Sequence, residues 1–231
     1  MMKILNQFRS KLFSRLATKS DLNHLYRQIE GLFQIQAALV GREVHRPMRD
    51  GALSPDALTW ILADLQERSS PTVVEFGSGQ STFILACYFK NRGGGRLISV
   101  EHDETFAKSL LRQLASCGLD NSVELHVLPL EETKPLSDHA SCRSYPVDRL
   151  PQVEIDLALV DGPPGQENGR LTRFVPLQWA LKHLSAGGAV YLDDAGRPNE
   201  HEIVGHAKRL NPSFLHLDLK AEKGLAVFKK P

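Results

Sequence analysis

Residues 71–86 read PTVVEFGSGQSTFILA, a β-branched run that closes on an acid and then enters a Gly-x-Gly turn opening a helix. Val73, Val74 and Phe76 suit a buried strand. Gly77 and Gly79 let a ligand come close to the backbone, and Ser81 begins a helix whose first N–H groups are free to bind one. A dinucleotide fingerprint would place a third glycine at position 82, where Thr82 stands, and no Lys-Ser/Thr pair follows as a phosphate-binding P-loop requires. The turn therefore points to a ligand with a smaller phosphate demand.

Outward from this unit the elements alternate. The pattern predicts helices over 55–67, 80–90, 103–117, 171–184 and 198–210, and strands over 72–76, 96–100, 122–128, 155–160 and 188–193. A long loop is expected over 129–152, and two closing strands near 213–219 and 224–229. Such alternation implies a doubly wound, Rossmann-like α/β fold with a seven-stranded, mostly parallel sheet. The last two strands are joined too tightly for a parallel crossover, so one of them should run antiparallel.

The chain of 231 residues accommodates one such domain and an extension, read as a helical arm over 1–41 ahead of a domain over 42–231. With 28 basic and 27 acidic residues the net charge is +1, which argues against a nucleic-acid partner. Cys87, Cys117 and Cys142 show no metal-binding or disulfide spacing, so a reducing, cytoplasmic setting is expected. No apolar run is long enough to span a bilayer. The first twenty residues carry five cations and no acid, and residues 3–17 place apolar side chains at helical spacing opposite Arg9, Lys11 and Arg15. Leu22, Leu25, Ile29, Leu32, Gln36 and Leu39 then follow three-four spacing, as in a coiled-coil seam. The arm is open to four readings: peripheral membrane contact, a homodimer, packing on its own domain, or a targeting segment.

Ligands of open parallel sheets bind beyond the carboxyl ends of the strands. Those ends carry Glu75 and the glycine turn, Glu101, Asp161, and the pair Asp193 and Asp194. Glu101 closes the second strand, where a carboxylate accepts bonds from ribose hydroxyls. Asp161, Asp193 and Asp194 end two strands that should be neighbours, so their oxygens are expected to converge; hard oxygen ligands suit Mg²⁺ or another divalent cation. The alternative is a capping or solvated role for each aspartate.

The order EFGSGQS, VEHD, VDGPPG and GGAVYLDDA resembles the class I S-adenosylmethionine-dependent methyltransferases across residues 55–229. The resemblance implies that Glu75, Gly77, Ser78 and Gly79, with the helix start at Ser81, hold the amino-acid end of S-adenosylmethionine. It implies Glu101 at the ribose, His102 beside the adenine, Glu131 flanking the adenine from the loop after the third strand, and Asp161 near the cofactor. The aspartates resemble those of metal-dependent sugar and catechol O-methyltransferases, where a divalent cation holds substrate oxygens and lowers the acceptor's pKa. Asp161 and Asp194 are accordingly the expected catalytic residues. A sulfonium donor carries no phosphate, which agrees with the turn.

The implied reaction is O-methylation of a sugar, glycan or other small hydroxylated acceptor. Gln166, Glu167, Asn168 and Arg170 are candidates for acceptor hydrogen bonds, Arg46, Arg49 and Arg197 for an acidic group on the acceptor, and His201 for a base. The competing classes are an NAD-type oxidoreductase and a non-catalytic cofactor-binding scaffold.

Overall fold

The computed structural model describes residues 18–39, 48, 51–165 and 168–231. The helix expected over 3–17, together with Arg46, Arg49, Gln166 and Glu167, lies outside the described residues.

Among the described residues, two helices, α1 (Lys19–Leu39) and α2 (Pro55–Gln66), precede the alternating part. This comprises β1 (Thr72–Phe76), α3 (Gln80–Arg92), β2 (Arg96–Glu101), α4 (Glu104–Ser116) and β3 (Glu124–Val127). A short ribbon of β4 (Glu131–Thr133) and β5 (Cys142–Ser144) follows, then β6 (Ile155–Val160), α5 (Phe174–His183), β7 (Leu184–Asp193), α6 (Pro198–Leu210), β8 (Leu215–Leu219) and β9 (Leu225–Lys229). The main sheet has seven strands in the order β3-β2-β1-β6-β7-β9-β8. Five run parallel in sequence, while β9 is antiparallel to both of its neighbours. The expected reversed strand is therefore the last one, inserted between β7 and β8.

Period-two alternation sorts the strand residues onto two cores. Val73, Leu97, Leu157, Leu159, Tyr191 and Val227 face α2 and α3. Val74, Ile98, Ala158, Val190, Leu192 and Phe228 face α5 and α6. Glu75 and Ser99 are register partners on β1 and β2, and by the same alternation both fall on the α3 side. A carboxylate buried there must find its partners on that helix or on the same face of the neighbouring strand.

The region expected as one loop over 129–152 contains the ribbon, whose three-residue strands, EET and CRS, are too short and polar to leave a periodic signal. Strand β7 begins earlier than expected, at Leu184, and its pairing with β6 shifts register between Ile155 and Leu157. Ser54 precedes α2 as expected, but its hydroxyl donates to Asp56 Oδ1 (2.7 Å) instead of capping the helix.

Helix α1 has two faces. Gly31, Ile35 and Leu39 are buried, with Gly31 so close to α2 that a Cβ would lie 2.8 Å from the Pro55 carbonyl carbon. Asn91 Nδ2 on α3 donates to the carbonyls of Ala38 and Leu39 (3.3 and 3.1 Å), satisfying the helix end. Leu22, Leu25, Ile29 and Leu32, four of the six expected seam positions, are 44–57% exposed, whereas Leu39 is fully buried. Among the described residues, no helix is long and apolar enough to cross a membrane.

Candidate active site

The carboxyl ends of β1, β2 and β6 converge on a cavity of about 340 Å³, within the usual size range of small-molecule sites, roughly 300–1,000 Å³. The Phe76 carbonyl accepts from the amides of Asp161 (2.9 Å) and Gly162 (2.7 Å), and Gly77 N–H donates to the Val100 carbonyl (2.9 Å). Three strand ends are thus stitched at one point. Gly77 has φ +94°, and a Cβ there would lie 2.8 Å from Gly162 N. Backbone meets backbone here, which only glycine allows.

Gly77, Ser78, Glu101 and His102 line the cavity on one side; Asp161, Gly162, Arg173 and Arg197 line it on the other. Glu101 Oε1 accepts from the amides of His102 (2.7 Å) and Asp103 (2.8 Å), and Oε2 from Ser78 N (3.2 Å). The carboxylate therefore braces the turn, and Oε2, with one long bond, retains capacity for a ligand hydroxyl. His102 Nδ1 lies 2.8 Å from Glu101 Oε1, and this contact holds the imidazole's pKa above its ordinary value despite partial burial.

Glu75 is placed differently from the expectation. It is fully buried and is absent from the cavity wall. Its Oε2 accepts from Ser99 Oγ (2.7 Å) and from Thr82 Oγ1, while Thr82 Oγ1 accepts from Gly79 N (2.8 Å). Glu75 thus fixes the glycine turn through Thr82, the residue that stands where a dinucleotide fold would have glycine. Burial raises the Glu75 pKa, and hydrogen bonds from Ser81, Thr82 and Ser99 oppose the rise. Thr82→Val should therefore orphan Gly79 N–H and leave Glu75 Oε2 with Ser99 as its remaining donor, lowering stability by about 1–3 kcal/mol and weakening cofactor binding, with Thr82→Ser close to wild type. Thermal melts and calorimetry on the two variants check this; equal behaviour would remove the relay.

Glu131 also departs from expectation. It lies on β4, half exposed and ion-paired with Arg149, and does not line the cavity. Tyr145, which the sequence did not single out, stands at the cavity beside His102. It is buried, and its ring centroid is 6.2 Å from that of His102 and 5.8 Å from that of Phe76. Its hydroxyl is buried and has no hydrogen-bond partner among the described residues. Burial and the carboxylates around it push its pKa well above the ordinary phenol value, so it stays a donor.

Asp161, Asp193 and Asp194 do converge, each offering a carboxylate oxygen within 4.8 Å of the others. Asp194 adopts φ +61°, a left-handed conformation that aspartate, like asparagine, enters more readily than most side-chain-bearing residues. Their surroundings do not match a divalent-cation site. Asp193 is 0% and Asp194 2% exposed, and neither lines the cavity. Arg173, 4% exposed, pairs with Asp194 (3.0 Å), Asp161 (3.5 Å) and Glu200 (3.8 Å). Lys223, from the β8–β9 turn, pairs with Asp193 (3.1 Å) and Asp194 (3.5 Å), and Arg197 adds a contact to Asp194 at 2.7 Å. Burial raises the Asp161 pKa strongly, reinforced by Asp193 and opposed by Arg173 and Lys223. Burial likewise raises Asp193, against the pull of Lys223. His201 is exposed on α6 and away from the cavity, and Arg170 pairs with Glu202 (2.6 Å).

A doubly wound sheet with one reversed strand, a glycine turn after β1 and an acid after β2 defines the class I fold of S-adenosylmethionine-dependent methyltransferases. Residues 74–195, more than half the chain, match the family described as methyltransferase domain, and the chain belongs to that family. Solved structures agree in fold. The O-methyltransferase TomG from Streptomyces achromogenes, involved in tomaymycin synthesis and solved with S-adenosylmethionine, is 21% identical, with coverage of 87% of this chain and 90% of that one and a TM-score of 0.53. The S-adenosylhomocysteine-bound methyltransferase PaMTH1 from Podospora anserina is 14% identical, with coverage of 89% and 88% and a TM-score of 0.59. An O-methyltransferase from Bacillus cereus in complex with S-adenosylhomocysteine is 18% identical, with coverage of 98% and 97% and a TM-score of 0.51. No functionally curated protein matches the chain. Family membership places the chain with methyltransferases and sets aside the oxidoreductase alternative.

Proposed function

We propose that the chain transfers the methyl group of S-adenosylmethionine to an oxygen of a small hydroxylated acceptor, with a sugar or glycan as the preferred substrate class. The observation that carries this is the division of the cavity. Its Gly77–His102 side offers backbone, a carboxylate and an imidazole; its Asp161 side offers a carboxyl group paired with Arg173, and the Arg197 side chain. Gly77 and Ser78 meet the amino-acid end of the donor, Glu101 Oε2 takes a ribose hydroxyl, and the adenine lies between His102 and Tyr145. The acceptor hydroxyl faces Asp161. As its oxygen lone pair forms the new O–CH₃ bond, the S–CH₃ bond breaks to leave S-adenosylhomocysteine, and the hydroxyl proton passes to Asp161. The Arg173 guanidinium, 3.5 Å away, favours the ionised carboxylate that receives the proton, against the raising effect of burial. Alignment of the two reactants is the fold's main contribution. No step needs a divalent cation, because Arg173 and Lys223 already stand among the carboxylates.

The polar, doubly cationic acceptor side supports a hydroxylated substrate, and the exposed stripe of α1 supports an assembly role for a helical arm over 1–41, as a homodimer contact or at a membrane surface, beside the domain over 42–231. Calorimetry with S-adenosylmethionine, S-adenosylhomocysteine and NAD tests the central step. Binding of the first two alone is expected; binding of NAD alone, or of none, would defeat it.

A further inference from the structure

We propose that Arg173 and Lys223 are the resident counter-cations of the Asp161–Asp193–Asp194 cluster and that this site operates without a divalent metal. The proposal rests on the methyl-transfer reading above for the role of the cavity, but its evidence is the cluster itself. Three carboxylates at this spacing would, left alone, either take up protons or recruit a hard cation. Here each has a fixed organic cation within ion-pair distance: Arg173 for Asp161 and Asp194, Lys223 for Asp193 and Asp194.

Both cations are held in place by neutral acceptors as well. Arg173 donates to the Pro163 and Asp193 carbonyls (each 3.3 Å), and Lys223 donates to the Ala52 carbonyl (2.9 Å). These carbonyls lie on the loop after β6, at the end of β7 and on the chain ahead of α2, so the cations are fastened from three directions. A divalent ion bridging the three aspartates would have to expel the ammonium of Lys223 and swing the guanidinium of Arg173 off two carboxylates, against these anchors. It would also sit behind Arg173, since Asp193 and Asp194 are not on the cavity wall. Of these two resident cations, Arg173 is the one that reaches the wall, which Arg197 also lines. It is a positioning residue for Asp161, and its guanidinium supplies the positive charge beside the acceptor oxygen while Asp161 takes the proton.

The test needs no acceptor. Mn²⁺ is titrated into the full chain saturated with S-adenosylhomocysteine, and the free-ion signal is followed by electron paramagnetic resonance. The unaltered protein is expected to bind no Mn²⁺ at 1:1 stoichiometry up to about 100 μM, a weak-to-absent affinity on the free-energy scale of binding. Lys223→Gln, which withdraws one resident charge, is expected to gain a single Mn²⁺ site, and Lys223→Arg, which restores the charge, is expected to stay silent. A tight 1:1 site in the unaltered protein that Asp193→Asn removes would overturn the proposal. So would a folded Lys223→Gln variant as silent as its parent. Failure of S-adenosylhomocysteine to bind would instead count against the methyltransferase reading, so the two failures are distinct.

Discussion

Gly77→Ala should abolish measurable binding of S-adenosylhomocysteine, weakening it by at least a hundredfold. Gly77 holds φ +94° where β1 ends, and a side chain in left-handed backbone costs about 1–2 kcal/mol before any contact is considered. Its Cβ would then lie 2.8 Å from Gly162 N and 3.1 Å from Gly162 Cα. Gly162 has nowhere to retreat, since its amide is committed to the Phe76 carbonyl at 2.7 Å. Relief requires parting the ends of β1 and β6, and with them Ser78 on one cavity wall and Asp161 on the other. Calorimetry checks the affinity and circular dichroism the fold. Binding within threefold of wild type would show that the apposed strand ends do not shape the cofactor site.

Arg173→Met is expected to cause the largest loss of stability. A guanidinium buried among Asp161, Asp194 and Glu200 cannot be removed without leaving acids uncompensated, and breaking such a buried pair costs about 3–5 kcal/mol. For a domain of this size that is roughly 6–20 °C in melting temperature. The pH dependence has a definite sign. Asp161 already has a folded pKa raised by burial, so the stability it contributes is present below its unfolded value and is lost as pH rises through the folded one. Removing Arg173 raises that pKa further, so the deficit should be greatest at and above neutral pH and shrink toward pH 5. Arg197→Met, at a half-exposed partner of Asp194, should cost less than about 1 kcal/mol. Equal losses in the two variants, or a deficit that grows on acidification, would refute the account of the cluster.

The sheet and the positions of its polar ends were legible in the sequence because buried parallel strands must be apolar runs, and an acid at the end of such a run has few reasons to be there. Glu101 and Asp161 follow this rule and both line the cavity. Glu75 follows it too, yet its carboxylate turns inward: the alternation that buries Val73 on the α3 side carries residue 75 to the same side. Thr82 was read as the absence of a glycine, and its positive role as a relay needed the Glu75–Ser99 register to be seen. Glu131 was misplaced because residues continuous with β3 in sequence leave it immediately to form the ribbon. Tyr145, Arg173 and Lys223 come from the end of that ribbon, the approach to α5 and the β8–β9 turn, none of which carries a periodic pattern. Their partners are separated from them by intervening elements, and only the folded topology brings them together.

The two-faced packing of α1 bears on how its contribution can be isolated. Ile35 and Leu39 belong to the same apolar core as Leu58, Ile61 and Phe83, so the arm and the domain are not separable at the boundary between residues 41 and 42. Severing the chain there would unroof α2 and α3 and strip Asn91 of its acceptors on Ala38 and Leu39, and any resulting aggregation or inactivity would report an opened interior, not a lost partner. Charge placed on the outward stripe, as in Leu25→Glu with Leu32→Glu, leaves that roof in place and puts the question of assembly to the helix alone.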